Sequence, residues 1–215
     1  MLKKLLILLF IISPIVSCAN DCIEYKQTPT VTIKNPKWTK KVVLSENPMD
    51  EYNGKYISFK LHGTTETNLI EQYDIDFGFI PKGDGYCLFI KGVDFLIGYE
   101  NFLVKIDNSY RVNSCEYNAI LKHEEKHIDA YLSILNDLEP DIKNSVFNAL
   151  DSVMPIYAKD IKEADSLLDD FYKDIEKHPE MVLLNKKIEA AQEIRNKRID
   201  QNEDNHELKS CLNGF

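Results

Sequence analysis

Residues 114–135 read SCEYNAILKHEEKHIDAYLSIL, and Tyr117, Ile120, Leu121, Ile128, Tyr131, Leu132 and Leu135 recur in them at spacings of three and four. That period places the apolar side chains on one face of an α-helix. Asn113 followed by Glu116 resembles a capping box with Asn as the capping residue, which sets the expected start of the helix. His123 and His127 fall beside the stripe, so the helix is expected to hold two half-buried imidazoles one turn apart.

Together with Glu124 these histidines form the pattern HExxH. Residues four apart stack on one helical face, so two imidazole nitrogens can aim at one point, as a tetrahedral Zn²⁺ requires of two of its ligands. Glu124 projects beside the first ligand, where it can take a proton from a water that the metal has acidified and pass it to a leaving amine. The plainer alternative is a charged, solvated helical face, since Glu124, Glu125 and Lys126 are common surface residues.

The segment resembles the active-site helix of zincin metallopeptidases. More narrowly it is similar to a group of uncharacterised exported bacterial zinc-dependent protease-like lipoproteins, in which a Cys shortly precedes the HExxH helix and an acidic, His-containing segment closes the domain. Cys115 and the C-terminal NEDNHELKSC correspond to those features. The metzincin extension is absent, because IDAYLS follows His127. The resemblance implies one zinc per chain, a peptide or protein substrate, and an edge strand beside the cleft that pairs with extended substrate.

Residues 1–18, MLKKLLILLFIISPIVSC, have a short basic start, an apolar run from Leu5 to Val16 and a small residue before a Cys, the layout of a secretory signal peptide. The run is too short for a transmembrane helix. Ile15-Val16-Ser17-Cys18 resembles a lipoprotein lipobox, which implies cleavage after Ser17, a lipid on Cys18 and an exported, membrane-anchored chain at the cell envelope. Ala19 after the Cys points to the outer membrane. A plain cleaved signal or an uncleaved anchor is the alternative.

The formal charge is -9 overall, and without residues 1–17, which carry two Lys and no acid, it is -11, with 24 basic against 35 acidic residues. So acidic a chain is a poor partner for nucleic acid or anionic lipid head groups, so membrane contact is expected through the acyl chains. Cys22, Cys87, Cys115 and Cys211 are an even number in an oxidising compartment and predict two disulfides, with three possible pairings. Cys115–Cys211 with Cys22–Cys87 is preferred, since the first would tie the C-terminal segment to the start of the HExxH helix. Free buried thiols are the alternative.

The expected fold is α+β, with a small antiparallel N-terminal sheet packed on the HExxH helix and a helical C-terminal half. Residues 1–17 form the signal peptide, 18–112 the β-rich part and 113–215 the helical part with the ligand segment. Residues 31–33, 41–44, 56–61, 73–80, 86–90 and 102–106 are rich in β-branched and aromatic residues and read as strands, punctuated by Asn47-Pro48, Asn53-Gly54 and Lys82-Gly83-Asp84-Gly85. From Pro140 onward the character is helical, and residues 142–153, 158–177 and 179–198 read as helices, with breaks at Pro155 and His178-Pro179. The last helix is expected to pack on the domain, with a projecting partner-binding arm as the rival reading.

A catalytic zinc needs a third protein ligand. His206 is favoured, because it lies five residues before Cys211 and the preferred disulfide would hold it near the HExxH helix; Glu203 is the rival and Glu163 the next candidate. Asp129, Asp200 and Asp204 are candidates to fix ligand tautomers. His62 and His178 read as hydrogen-bonded or exposed residues without a role. Tyr117, Tyr131 and Tyr157 are available to steady an oxyanion, and spacing selects none of them.

The expected function is therefore that of a lipid-anchored zinc metallopeptidase. Two other classes stay open: a non-catalytic envelope lipoprotein that binds a partner through its charged C-terminal helices, and a zinc hydrolase acting on a cell-wall substrate.

Overall fold

The longest strands meet at Lys82-Gly83-Asp84-Gly85, where Gly83 adopts φ 61° and lets a two-residue turn join β4 (Leu69–Lys82) to β5 (Gly85–Tyr99). A positive φ at the first central residue suits the II′ turn that matches strand twist. The two strands pair antiparallel from Lys82↔Gly85 to Leu69↔Tyr99. The register shifts between Asp76/Phe77 on β4, where Gly92 and Ile90 are the opposite residues and Lys91 is left over. This bulge returns Ile90 to the face of Val93, and both enter the same core.

The structure is a computed structural model that describes residues 22–46, 62–202 and 210–211. Its remaining elements are β1 (Thr30–Lys34), β2 (Thr39–Ser45), β3 (Gly63–Glu66), β6 (Asn101–Asp107), α1 (Cys115–Val153), β7 (Ile156–Ala158), α2 (Ile161–Glu176) and α3 (Pro179–Asn202). The fold is mixed α+β. Two sheets are present: one has the order β1-β5-β4 with β7 pairing β5, and the other the order β2-β6-β3. The chain passes between them at Glu100, a single residue separating β5 from β6.

The expected antiparallel sheet is corrected on this point. β1 runs parallel to β5 and β2 parallel to β6, while β4–β5, β3–β6 and β5–β7 are antiparallel. Parallel neighbours join segments far apart in sequence, so no local turn signal announces them. The expected strand at 56–61 lies outside the described residues.

Helix α1 starts one residue later than the capping box implied. Ser114 is the cap, its Oγ accepting from Tyr117 N at 3.2 Å, and Asn113 sits before it at φ 65°, a conformation Asn tolerates. The helical stretches expected over 114–135 and 142–153 are a single element, because α1 continues unbroken through Pro140 to Val153. A proline inside a helix costs about 3 kcal/mol. Here Leu135 on one side and Ile142, Val146 and Leu150 on the other are buried in one core, which holds both halves on a common axis. The breaks at Pro155 and His178-Pro179 do end α1 and α2.

Ile120, Ile128 and Leu135 of α1 meet Phe95 and Ile97 of β5 and Phe102, Val104 and Ile106 of β6 in that core. Alternation along each strand and three-to-four spacing along the helix put these side chains on the facing surfaces. Met181, Leu184 and Ile188 of α3 join the same cluster, so α3 packs along α1, while Leu183 and Ile194 face outward. Both disulfides are present, as Cys22–Cys87 and Cys115–Cys211. Among the described residues no helix is long and apolar enough to cross a membrane.

Candidate metal centre

The α1 helix delivers the His pair as its spacing requires. His123 Nε2 and His127 Nε2 lie 3.2 Å apart. Helix α3 brings a carboxylate to the same point: Asp200 Oδ1 is 3.4 Å from His123 Nε2 and 3.2 Å from His127 Nε2. One donor atom from each of the three residues falls within 4.8 Å of the others. Two imidazoles and a carboxylate are a donor set that suits Zn²⁺ and leaves a fourth position of a tetrahedron open.

The residues around the cluster orient it. His127 Nδ1 lies 3.0 Å from Asn196 Oδ1, and Asn196 Nδ2 donates to the Tyr131 hydroxyl at 3.2 Å. An amide oxygen only accepts, so it keeps the hydrogen on Nδ1 and leaves the Nε2 lone pair toward the cluster. Electrostatics favour a cation at the centre. Burial disfavours charge on Asp200, but hydrogen bonds from His123 and His127 outweigh it and hold the carboxyl well below its ordinary range. Burial likewise works against a charged His127, yet Asp200, Asn196 and the Glu124 charge outweigh it and raise the imidazole. A proton or a metal ion would answer the same need for positive charge.

Glu124 is the one charged side chain buried among the described residues, at 4% exposure. Thr65 Oγ1 of β3 donates to Glu124 Oε2 at 2.8 Å and lies 3.2 Å from its backbone carbonyl. Gly63, also on β3, makes the close approach possible: a Cβ there would sit 2.7 Å from Ile120 Cγ2 and 2.9 Å from Glu124 Oε1. Burial is the main reason that the Glu124 carboxyl is raised above its ordinary value, with the Thr65 hydrogen bond and both imidazoles opposing. A carboxylate so raised is a stronger base than a solvated one.

His206, Glu203, Asp204 and Cys18 lie outside the described residues. Glu163 is engaged elsewhere, its Oε2 accepting from Lys159 N at 2.8 Å beside the start of α2. Asp129 is exposed. His62 Nδ1 contacts the Tyr110 hydroxyl at 2.5 Å, and His178 Nε2 contacts Ser152 Oγ at 2.9 Å, so both are hydrogen-bonded side chains away from the cluster. Of the three tyrosines, Tyr157 donates to Asp84 Oδ1 at 3.0 Å, whereas Tyr131 is the one tied to His127 through Asn196.

Sequence reasoning gave Asp200 a supporting role and passed over Asn196. The signal was present: Leu184, Ile188, Gln192, Asn196 and Asp200 follow one another at intervals of four along one face of α3, apolar at first and polar where the helix reaches the His pair. Comparison with protein-family models, with curated proteins and with solved structures gives no match for the chain.

Proposed function

We propose that this protein is a zinc-dependent peptidase of the zincin type, exported and anchored at the cell envelope by a lipid on Cys18. The observation that carries the reading is the convergence of His123, His127 and Asp200 beside the buried carboxylate of Glu124. His123, His127 and Asp200 would hold the metal, which when bound supplies a Lewis acid for the scissile carbonyl. Glu124 accepts the proton of the attacking water on its carboxylate and returns it to the departing amine. Thr65 fixes the carboxylate by its hydrogen bond, and Gly63 leaves room for it. Asn196 holds the His127 ring in one tautomer.

Strand β3 is the last in its sheet order among the described strands and passes Glu124 at Gly63 and Thr65. A peptide pairing with it in extended form would lie across the reacting centre, which is the edge-strand role that the zincin resemblance implies. The disulfides fit an oxidising compartment.

Metal removal tests the reading. Hydrolysis of a mixed peptide library by the full chain should stop after dialysis against a chelator and return on addition of zinc. Hydrolysis that persists unchanged without metal would refute it.

A further inference from the structure

Between α1, α3 and the start of β4 lies a cavity of about 480 Å³, and its wall at Tyr131 is one helical turn along α1 from His127. That size is within the range of pockets that enclose a ligand group. Its walls include Thr67, Glu71, Tyr131, Asn185, Glu189 and Gln192. Two routes connect it to the reacting centre. Along α1, Tyr131 is one turn beyond His127 and is joined to it through Asn196. Along β3, Thr65 bonds Glu124 and Thr67 reaches the cavity two residues later. A helical turn rises about 5.4 Å and two strand residues about 6.8 Å, which is the reach of a side chain close to the bond being cut.

The chemistry of the walls is one-sided. Among the described residues the lining holds two carboxylates and no Lys, Arg or His. Lysines and an arginine on the surrounding elements already face other carboxylates: Lys105 with Glu66, Lys187 with Asp141 and Arg195 with Asp137. Asn185 donates its amide to Glu71, while its Oδ1 is buried with no hydrogen-bond partner. The Tyr99 hydroxyl accepts from Gln192. The cavity thus offers acceptors: a half-buried carboxylate at Glu71 and an exposed one at Glu189. Two carboxylates with no cation beside them among the described lining residues favour a ligand that donates and carries positive charge.

We propose that this cavity is a recognition subsite for a cationic side chain, lysine or arginine, of the peptide substrate, an inference that rests on the peptidase reading of the adjoining centre. The ammonium or guanidinium donates to Glu71, with the exposed Glu189 completing the negative field, and the apolar stem lies against Leu69 and Ile188. Burial, opposed by the Asn185 hydrogen bond and assisted by Glu176, raises the Glu71 carboxyl above its ordinary value, and a bound cation would relieve that strain.

The test compares peptides identical except for Lys, Arg, norleucine or Glu at one position near the cleaved bond. The full-length protein should cleave the Lys or Arg peptide about 10–100-fold better in kcat/KM than the norleucine one. The Glu71→Gln/Glu189→Gln variant should bring that ratio close to unity. A wild-type ratio near unity, or a ratio that survives in the double variant, would overturn the subsite. If no peptide is cleaved, the peptidase reading fails and the subsite is judged by binding. N-acetyl-lysine and N-acetyl-arginine methylamides at millimolar concentration should shift the Asn185 side-chain amide in NMR spectra, the norleucine analogue should not, and the double variant should lose the shift. No shift with either cation would overturn the subsite, while zinc content of the same sample reports separately on the metal centre.

Discussion

Glu124→Gln should leave a folded, zinc-loaded protein that hydrolyses peptides about 10²–10⁴-fold more slowly than wild type. Glutamine keeps the length and shape of the side chain, and its amide oxygen can still accept the 2.8 Å hydrogen bond from Thr65. It cannot take a proton from water. Because the native carboxylate is buried at 4% exposure, removing its charge also lifts a desolvation penalty, so the melting temperature should be equal or higher. Kinetics on a peptide library, a thermal melt and a zinc assay on the same preparation separate these effects. An unchanged rate would remove Glu124 from the chemistry.

The second large effect concerns stability. Cys115 and Cys211 are 96 residues apart in sequence, and the bond between them closes nearly the whole helical half into a loop. By the chain-entropy relation, cross-linking a loop of about 100 residues stabilises by about 4.7 kcal/mol, a large part of the total stability of an ordinary domain. Cys115→Ser/Cys211→Ser should therefore shift the urea midpoint strongly downward. The bond also joins the start of α1 to the chain that follows α3, which carries Asp200 on its last turn. Zinc affinity of the double variant should fall with stability. Equilibrium unfolding in urea, with and without zinc, measures both, and a midpoint unchanged in either condition would contradict the account.

Local chemistry was legible and long-range pairing was not. The HExxH helix, the turn at Gly83, the breaks at Pro155 and His178-Pro179 and the expectation of two disulfides follow from the residues alone, while the choice among three cysteine pairings is a preference that the fold bears out. The strand expected over 86–90 is the first part of β5, which runs on to Tyr99 through Lys91, Gly92, Asp94 and Gly98. In the fold Lys91 occupies the bulge, Asp94 pairs with Lys34 at 2.5 Å, and a Cβ on Gly98 would lie 2.4 Å from Pro36 Cδ, so each has a tertiary reason. Parallel pairing of β1 and β2 depends on partners about 60 residues away, which periodicity does not encode. The continuity of α1 through Pro140 has the same kind of cause: packing on either side overrides a local preference. At the site, the spacing names His123, Glu124 and His127, while Asp200 comes within reach of the pair only through the packing of α3 on α1, and His206 lies outside the described residues.

The most direct measurement is the metal content of the full-length protein, purified from an oxidising compartment and incubated with zinc before desalting, beside His123→Ala and Asp200→Ala. About one zinc per chain is expected in the wild type, and its loss in both variants. Wild-type zinc no higher than in His123→Ala would contradict it.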